Sequence, residues 1–389
     1  MRLPLAAARL WHNQRLQPWI LVGLGLAFAL ASFGLPYQLD YPAYLEQWRT
    51  TLADPTNLQR LGTNAYGPTH NLMALVSALH PNAPRLLFCW IWLAGGVLLL
   101  NRCAADRLPA WISWAILFFL YLNPYFFRLY AYGQNDLAVS GLLLISVLCY
   151  RAKKDLAAGL LFALSLSYKF YPIVMLPFLL VDEQWRGGLA DLLARIRWRF
   201  VLALGFSFAL IMAGAHQVLG QSFFSPYSFL ADRAITESSL AYSLLHLFHS
   251  PWLANLGFLP GALLLAVLTL TAYARNWPAD VAAIMALLSL FLFSPVFYYV
   301  YGIGVIALLF EQATFASHTQ LHWRTWTPPL IYMALMAGVF GVLALLSRFP
   351  AVPLMALKGL MYATANGVLL LLLAHREWVG RPLPTGAEG

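Results

Sequence analysis

Charge is what this chain has least of. Only 10% of its 389 residues are Asp, Glu, Lys or Arg, while 61% are hydrophobic. A soluble globular chain carries about 25% charged residues, so the composition excludes a water-soluble fold and implies a multi-spanning membrane protein. Cysteine is scarce too: Cys89, Cys103 and Cys149 lie within or beside apolar runs and form no disulfide pattern. The chain lacks a glycine-rich phosphate loop of the nucleotide-binding kind and shows no internal repeat. Low complexity is confined to a short Gly/Pro-bearing C-terminal tail. His318 and His322 have i,i+4 spacing, but no acidic neighbour supports a zinc hydrolase, and no metal site is assigned. The net charge of +9 does not point to nucleic acid, because the basic residues sit in short clusters between apolar runs, as topology signals do.

Long apolar runs fill the rest. A span needs about 20 apolar residues, and about twelve candidates stand at 17–36, 83–101, 109–122, 137–150, 155–168, 171–182, 199–219, 257–274, 278–294, 297–310, 328–346 and 353–374. The pattern predicts an all-α, polytopic transmembrane helical bundle, read as one integral membrane domain over 1–389. The middle candidates are short, which leaves open whether 137–182 crosses fully. With the N-terminus in the cytoplasm, clusters such as Arg102/Arg107, Arg151–Lys154 and Arg195–Arg199 all fall on the cytoplasmic side, 16 of the 24 Lys and Arg residues in total. That bias sets orientation, so both termini are expected in the cytoplasm and the first run is expected to be an uncleaved anchor. The outer segments are then a first loop at 37–82 with surface helices, a turn at 123–136 and a second long loop at 220–256; 375–389 forms a cytoplasmic tail. Residues 66–81 are read as a helix lying along the surface, because counting them as a span would put the Arg151–Lys154 cluster outside.

The polar residues gather on the outer side. Asp40 closes the first run. It precedes Pro42 and could cap a helix over 41–50, as Asp often does; equally, it could carry chemistry at the membrane surface. Gln134, Asn135 and Asp136 enter a span from outside, and three polar residues exceed what a cap needs. One of Asn135 and Asp136 is expected to cap. Gln134 and Asn135 suit hydrogen bonding to sugar hydroxyls. Lys169 stands before Pro172 at the end of an apolar run, where an ammonium is costly unless paired or snorkelled, and is a functional candidate by default. Arg233 has a planar fork that matches phosphate oxygens, with a loop ion pair to Asp232 or Glu237 as the plain alternative.

Taken in order, these motifs resemble the polytopic GT-C glycosyltransferases, most closely glycosyltransferase family 87. The resemblance lies in Asp40 after the first span, Asn64-Ala65-Tyr66-Gly67-Pro68, Tyr132-Gly133-Gln134-Asn135-Asp136, Tyr168-Lys169-Phe170-Tyr171-Pro172 and Ser294-Pro295, which together cover about 260 residues. It implies a GT-C-type bundle that moves a sugar, often mannose, from a polyprenyl phosphate carrier to a lipid or glycan acceptor. The site would face outward from the plasma (inner) membrane. On the same grounds Asp40 would be the general base of an inverting transfer. Lys169, and with it Arg233 or Arg128, would hold the donor phosphate. Gln134, Asn135 and Asp136, with Tyr66 and Tyr171, would position sugar or acceptor. The lipid-linked donor is the only cofactor-like partner implied, and the lone Asp40, with no second acidic residue adjacent, weakens a divalent-metal reading. Two rivals remain open: a lipid-linked glycan transporter or flippase, whose usual inverted repeats are not visible, and a polymerase or ligase of such glycans.

Overall fold

A computed structural model describes residues 14–38, 40–54, 66–181, 193–220, 235–249 except 237, 252, 258–297 except 295, 299–317, 323–349 and 353–380. Helix is the regular structure throughout them, and their one β-bridge, Val181 with Ile196, is isolated. This outcome follows from the composition. Backbone groups in hydrocarbon must find partners within their own segment, and a helix does that without help from its neighbours.

The helices run α1 Gln17–Ala31, α2 Tyr41–Ala53, α3 Pro68–Leu79, α4 Ala83–Ala105, α5 Ala110–Ile116, α6 Pro124–Tyr132, α7 Asp136–Arg151 and α8 Asp155–Tyr168. After these come α9 Leu176–Leu179, α10 Trp198–Leu219, α11 Leu240–Phe248, α12 Phe258–Ala274, α13 Ala279–Phe293, α14 Gly302–Ser317, α15 Trp323–Leu346 and α16 Leu354–Gly380. Four stretches among the described residues are long and apolar enough to cross a membrane: Ala83–Ala105, Trp198–Leu219, Thr325–Leu346 and Leu354–Val379. Shorter apolar helices accompany them, including Gln17–Ala31, Asp155–Tyr168, Ala279–Phe293 and Gly302–Ser317. The chain is thus an all-helical membrane protein, with four helices of full spanning length among the described residues.

Residues 171–181, the described part of the 171–182 candidate, show where a hydropathy count overreaches. They form a 3-10 turn, Tyr171–Met175, and the four-residue α9, too short at about 1.5–2 Å per residue for a core of roughly 30 Å. Pro172 and Pro177 remove backbone donors there. An apolar run registers burial, not continuity of helix.

Two compact units emerge. The first takes residues 1–170, 199–232 and 314–321; the second takes 171–198, 233–313 and 322–389. In the first, α7 and α8 form a hairpin sewn by side chains: Ser146 Oγ donates to the Ala158 carbonyl at 2.8 Å and Ser165 Oγ to that of Val139 at 3.0 Å. In the second, Tyr332 donates to Asn366 Oδ1 at 2.7 Å, a buried polar tie between α15 and α16, and the Arg275 guanidinium lies 3.3 Å from the Trp378 ring.

Candidate functional site

The site grows from two short helices, α2 and α3. On α2 the buried positions are Tyr41, Tyr44, Gln47, Trp48 and Thr51, a helical i, i+3, i+7 face. Glu46 and Arg49 pair on the opposite side at 2.9 Å, largely exposed. The buried face meets the start of α3. Trp48 Nε1 donates to the His70 carbonyl at 2.9 Å and Gln47 Nε2 to Asn71 Oδ1 at 3.2 Å. The start of α3 is bound in turn to the end of α8: Gly67 N–H donates to the Tyr168 carbonyl at 2.9 Å, and the Thr69 and Ser167 hydroxyls share a hydrogen bond at 2.5 Å.

Gly67 is required by that approach. A Cβ there would stand 2.1 Å from the Ser167 carbonyl oxygen, a backbone atom that cannot step aside. Gly67→Ala is therefore expected to destabilise the protein by about 1–3 kcal/mol, as overpacking does, and to lower transfer activity with it. Thermal unfolding of the detergent-solubilised protein checks this, and an unchanged midpoint would contradict the close approach.

Gln134, Asn135 and Asp136 then tie three earlier motifs together. Gln134 Nε2 donates to Asp40 Oδ2 at 3.1 Å. Asn135 Nδ2 lies 3.0 Å from His70 Nδ1. Asp136 Oδ2 accepts from Lys169 Nζ at 2.8 Å, an ion pair with almost no solvent exposure on either side chain. Gly133, at φ +61°, makes the sharp turn that aims this tripeptide, a conformation disfavoured for residues with a side chain. Tyr44 completes the cluster, its hydroxyl 3.5 Å from Asn135 Oδ1 and 3.3 Å from the Tyr66 hydroxyl. The Tyr66 ring lies 5.4 Å from Lys169 Nζ.

Capping does not explain these residues. Asp40 stands at the N-cap position of α2, yet its carboxylate makes no cap hydrogen bond and is exposed. Asn135 stands at the N-cap position of α7 and makes none either. Tertiary partners have claimed both side chains. Tyr171 belongs to the second unit, where its ring stacks on Tyr301 at 5.0 Å. Arg128 is on α6, and Arg233 lies outside the described residues. No group of three or more His, Cys, Asp and Glu side chains suited to a metal gathers among the described residues.

His70 and Arg85 were not singled out from the sequence. His70 is buried among the rings of Tyr44, Trp48 and Tyr66, at 4.8, 5.1 and 4.3 Å. Burial, helped by the Lys169 charge, drives its pKa well below the ordinary 6.5. The imidazole is thus neutral. With Tyr44 donating to Asn135 Oδ1, the Asn135 amide donates to Nδ1 and the ring proton sits on Nε2. Burial, reinforced by Tyr66, Asp40 and Asp136, raises the Tyr44 hydroxyl well above its usual range, so it stays a donor. Arg85 is fully buried near the start of α4. The one hint in the sequence is that it is a charge at the mouth of an apolar run.

A depressed histidine pKa has a stability consequence of definite sign. Below about pH 6.5 the unfolded chain takes up a proton on His70 and the native protein does not. Stability is therefore full above that pH and falls below it, by about 1.4 kcal/mol per pH unit, until the native pKa is reached. Unfolding midpoints at pH 7.5 and 5.5 should show this drop. His70→Asn, which keeps an acceptor near the Nδ1 position, should shrink it. An equal drop in the variant would assign the acid sensitivity elsewhere.

Residues 64–297 match the model of glycosyltransferase family 87. No match is found among curated proteins.

Proposed function

Because the chain belongs to glycosyltransferase family 87, and is therefore a membrane glycosyltransferase, we propose that it transfers a sugar, mannose first among candidates, from a polyprenyl phosphate to a lipid-linked or cell-envelope glycan acceptor. In this reading Asp40 takes the proton of the acceptor hydroxyl as that oxygen attacks the anomeric carbon. The bond from that carbon to the carrier oxygen breaks, the configuration inverts, and the phosphate leaves with the electron pair. A positioned base of this kind supplies about 10²–10⁴-fold. Lys169 stabilises the negative charge growing on the leaving phosphate, an electrostatic role favoured by its buried setting. Gln134 orients the Asp40 carboxylate, and Asn135, Asp136 and Tyr66 line the sugar and acceptor positions, with Arg128 as a further contributor. The site faces outward from the inner membrane, and both termini are cytoplasmic.

The observation that carries the reading is the tripeptide 134–136: one end holds the exposed carboxylate of Asp40 and the other holds the ammonium of Lys169. A base and a phosphate partner in one constellation are what transfer from a phosphate carrier needs.

The test is transfer of label from polyprenyl-phosphate mannose, and from a panel of other polyprenyl-phosphate sugars, to acceptors in membranes overproducing the protein. Label in lipid or glycan that depends on the protein supports the reading. Transfer from a nucleotide sugar with none from any polyprenyl donor would overturn it.

A further inference from the structure

Among the described residues, Arg85 is a buried cation with no counter-ion. Its side chain has no solvent exposure, and no ion pair to it occurs among the described residues. Guanidinium does not deprotonate in proteins, and a buried charge is tolerated only when its hydrogen bonds are met. Neutral oxygens meet those of the two terminal nitrogens, while Nε has no hydrogen-bond partner among the described residues. Nη1 donates to the Ala131 carbonyl at 3.1 Å. Nη2 donates to the Ser32 carbonyl, to Asn82 Oδ1 at 2.8 Å and, more distantly, to the Leu35 carbonyl at 3.5 Å. The backbone N–H of Arg85 donates to the Tyr41 hydroxyl at 3.1 Å, and the guanidinium lies 5.1 Å from the Tyr37 ring and 5.8 Å from that of Tyr41.

The pattern of partners is more telling than their number. Ser32, Leu35 and Tyr37 belong to the segment that leads into Asp40, and Tyr41 follows it directly. Ala131 belongs to the segment that leads into Gln134. One guanidinium thereby joins the two stretches of chain whose ends make the Asp40–Gln134 hydrogen bond. A fixed planar fork suits such bridging and a point-charge ammonium does not. Well-packed apolar residues often stabilise a fold as well as buried ionic groups do, so stability alone does not account for a cation here.

We infer that Arg85 is a positioning residue, whose guanidinium sets the place of the Asp40 carboxylate by clamping the 32–37 and 131–134 segments together. The inference rests on the reading of Asp40 as the base and adds to it the device that holds that base in place.

The experiment measures kcat and donor KM on purified protein for Arg85→Lys, Arg85→Gln, Asp40→Glu and the double variant Arg85→Lys/Asp40→Glu. Displacing a reacting group by about 1 Å can cost on the order of 10²-fold. Folded Arg85→Lys is therefore expected to lose roughly 10- to 100-fold in kcat, with donor KM within about twofold of wild type. If Arg85 acts through the carboxylate, the double variant falls no more than about threefold below the weaker single one, since coupled residues are not additive. Should neither Arg85 variant fold, Asn82→Ala trims one acceptor of the clamp while leaving the cation, and a smaller loss confined to kcat is expected. The inference is overturned by wild-type kcat in a folded Arg85→Lys or, failing that variant, in Asn82→Ala, and equally by losses that simply multiply in the double variant. Asp40→Asn measured alongside separates the two ideas. If Asp40→Asn is dead and Arg85→Lys is normal, only the clamp fails; if Asp40→Asn keeps full transfer, the base assignment fails and the clamp falls with it.

Discussion

Asp40→Asn is expected to lower sugar transfer by about 10²–10⁴-fold, the contribution of a positioned general base, while leaving the unfolding temperature close to that of wild type. The two halves of this expectation come from the same geometry. Asp40 is exposed, makes no cap hydrogen bond to α2, and accepts from the Gln134 amide. An asparagine can present its own oxygen to that amide, so little fold stability is at stake. The amide nevertheless cannot take up the acceptor's proton. Transfer from labelled donor, read beside tryptophan fluorescence during heating, decides the matter. Undiminished transfer in a stable variant would remove Asp40 from the mechanism and leave the family assignment intact.

Lys169→Met is expected to do two things that a second substitution can separate. Lys169 and Asp136 are both buried and lie 2.8 Å apart. Removing one partner strands the other's charge, which costs about 3–5 kcal/mol, so the single variant should unfold at a clearly lower temperature. Replacing both, as in Lys169→Met/Asp136→Leu, removes the stranded charge, and such replacements are often neutral or stabilising. The double variant is therefore expected to regain much of the lost stability and still fail to transfer sugar, because no ammonium faces the leaving phosphate. Recovery of transfer together with stability would make the pair structural only, and the donor phosphate would need another cation.

Much of the fold was open to a reading of the residues alone. Apolar runs became helices because hydrocarbon leaves the backbone no other partner, and the short helices expected in the first loop stand at Tyr41–Ala53 and Pro68–Leu79. The motifs behind the family resemblance were legible too, since each is a short unbroken string. Local pattern misled where tertiary contacts outweigh it. Asp40 before a proline and Asn135 before an apolar run both look like helix caps, yet their side chains bond elsewhere. Residues 171–182 look like a span, yet 171–179 fold as a 3-10 turn and one short helix, each with a proline near its start.

The pairings came only with the folded chain. Asp40 and Gln134 are 94 residues apart, His70 and Asn135 65, and Asp136 and Lys169 33, and no periodicity connects such distances. His70 carries no local mark and Arg85 only that of a charge at the mouth of an apolar run, because what distinguishes them is burial: one is held neutral among rings, the other is surrounded by neutral oxygens. Helix and membrane residence follow from the residues alone, because hydropathy and backbone satisfaction depend on each segment separately. Which polar side chains meet was decided by tertiary structure, because their partners come from helices distant in sequence that only packing brings together.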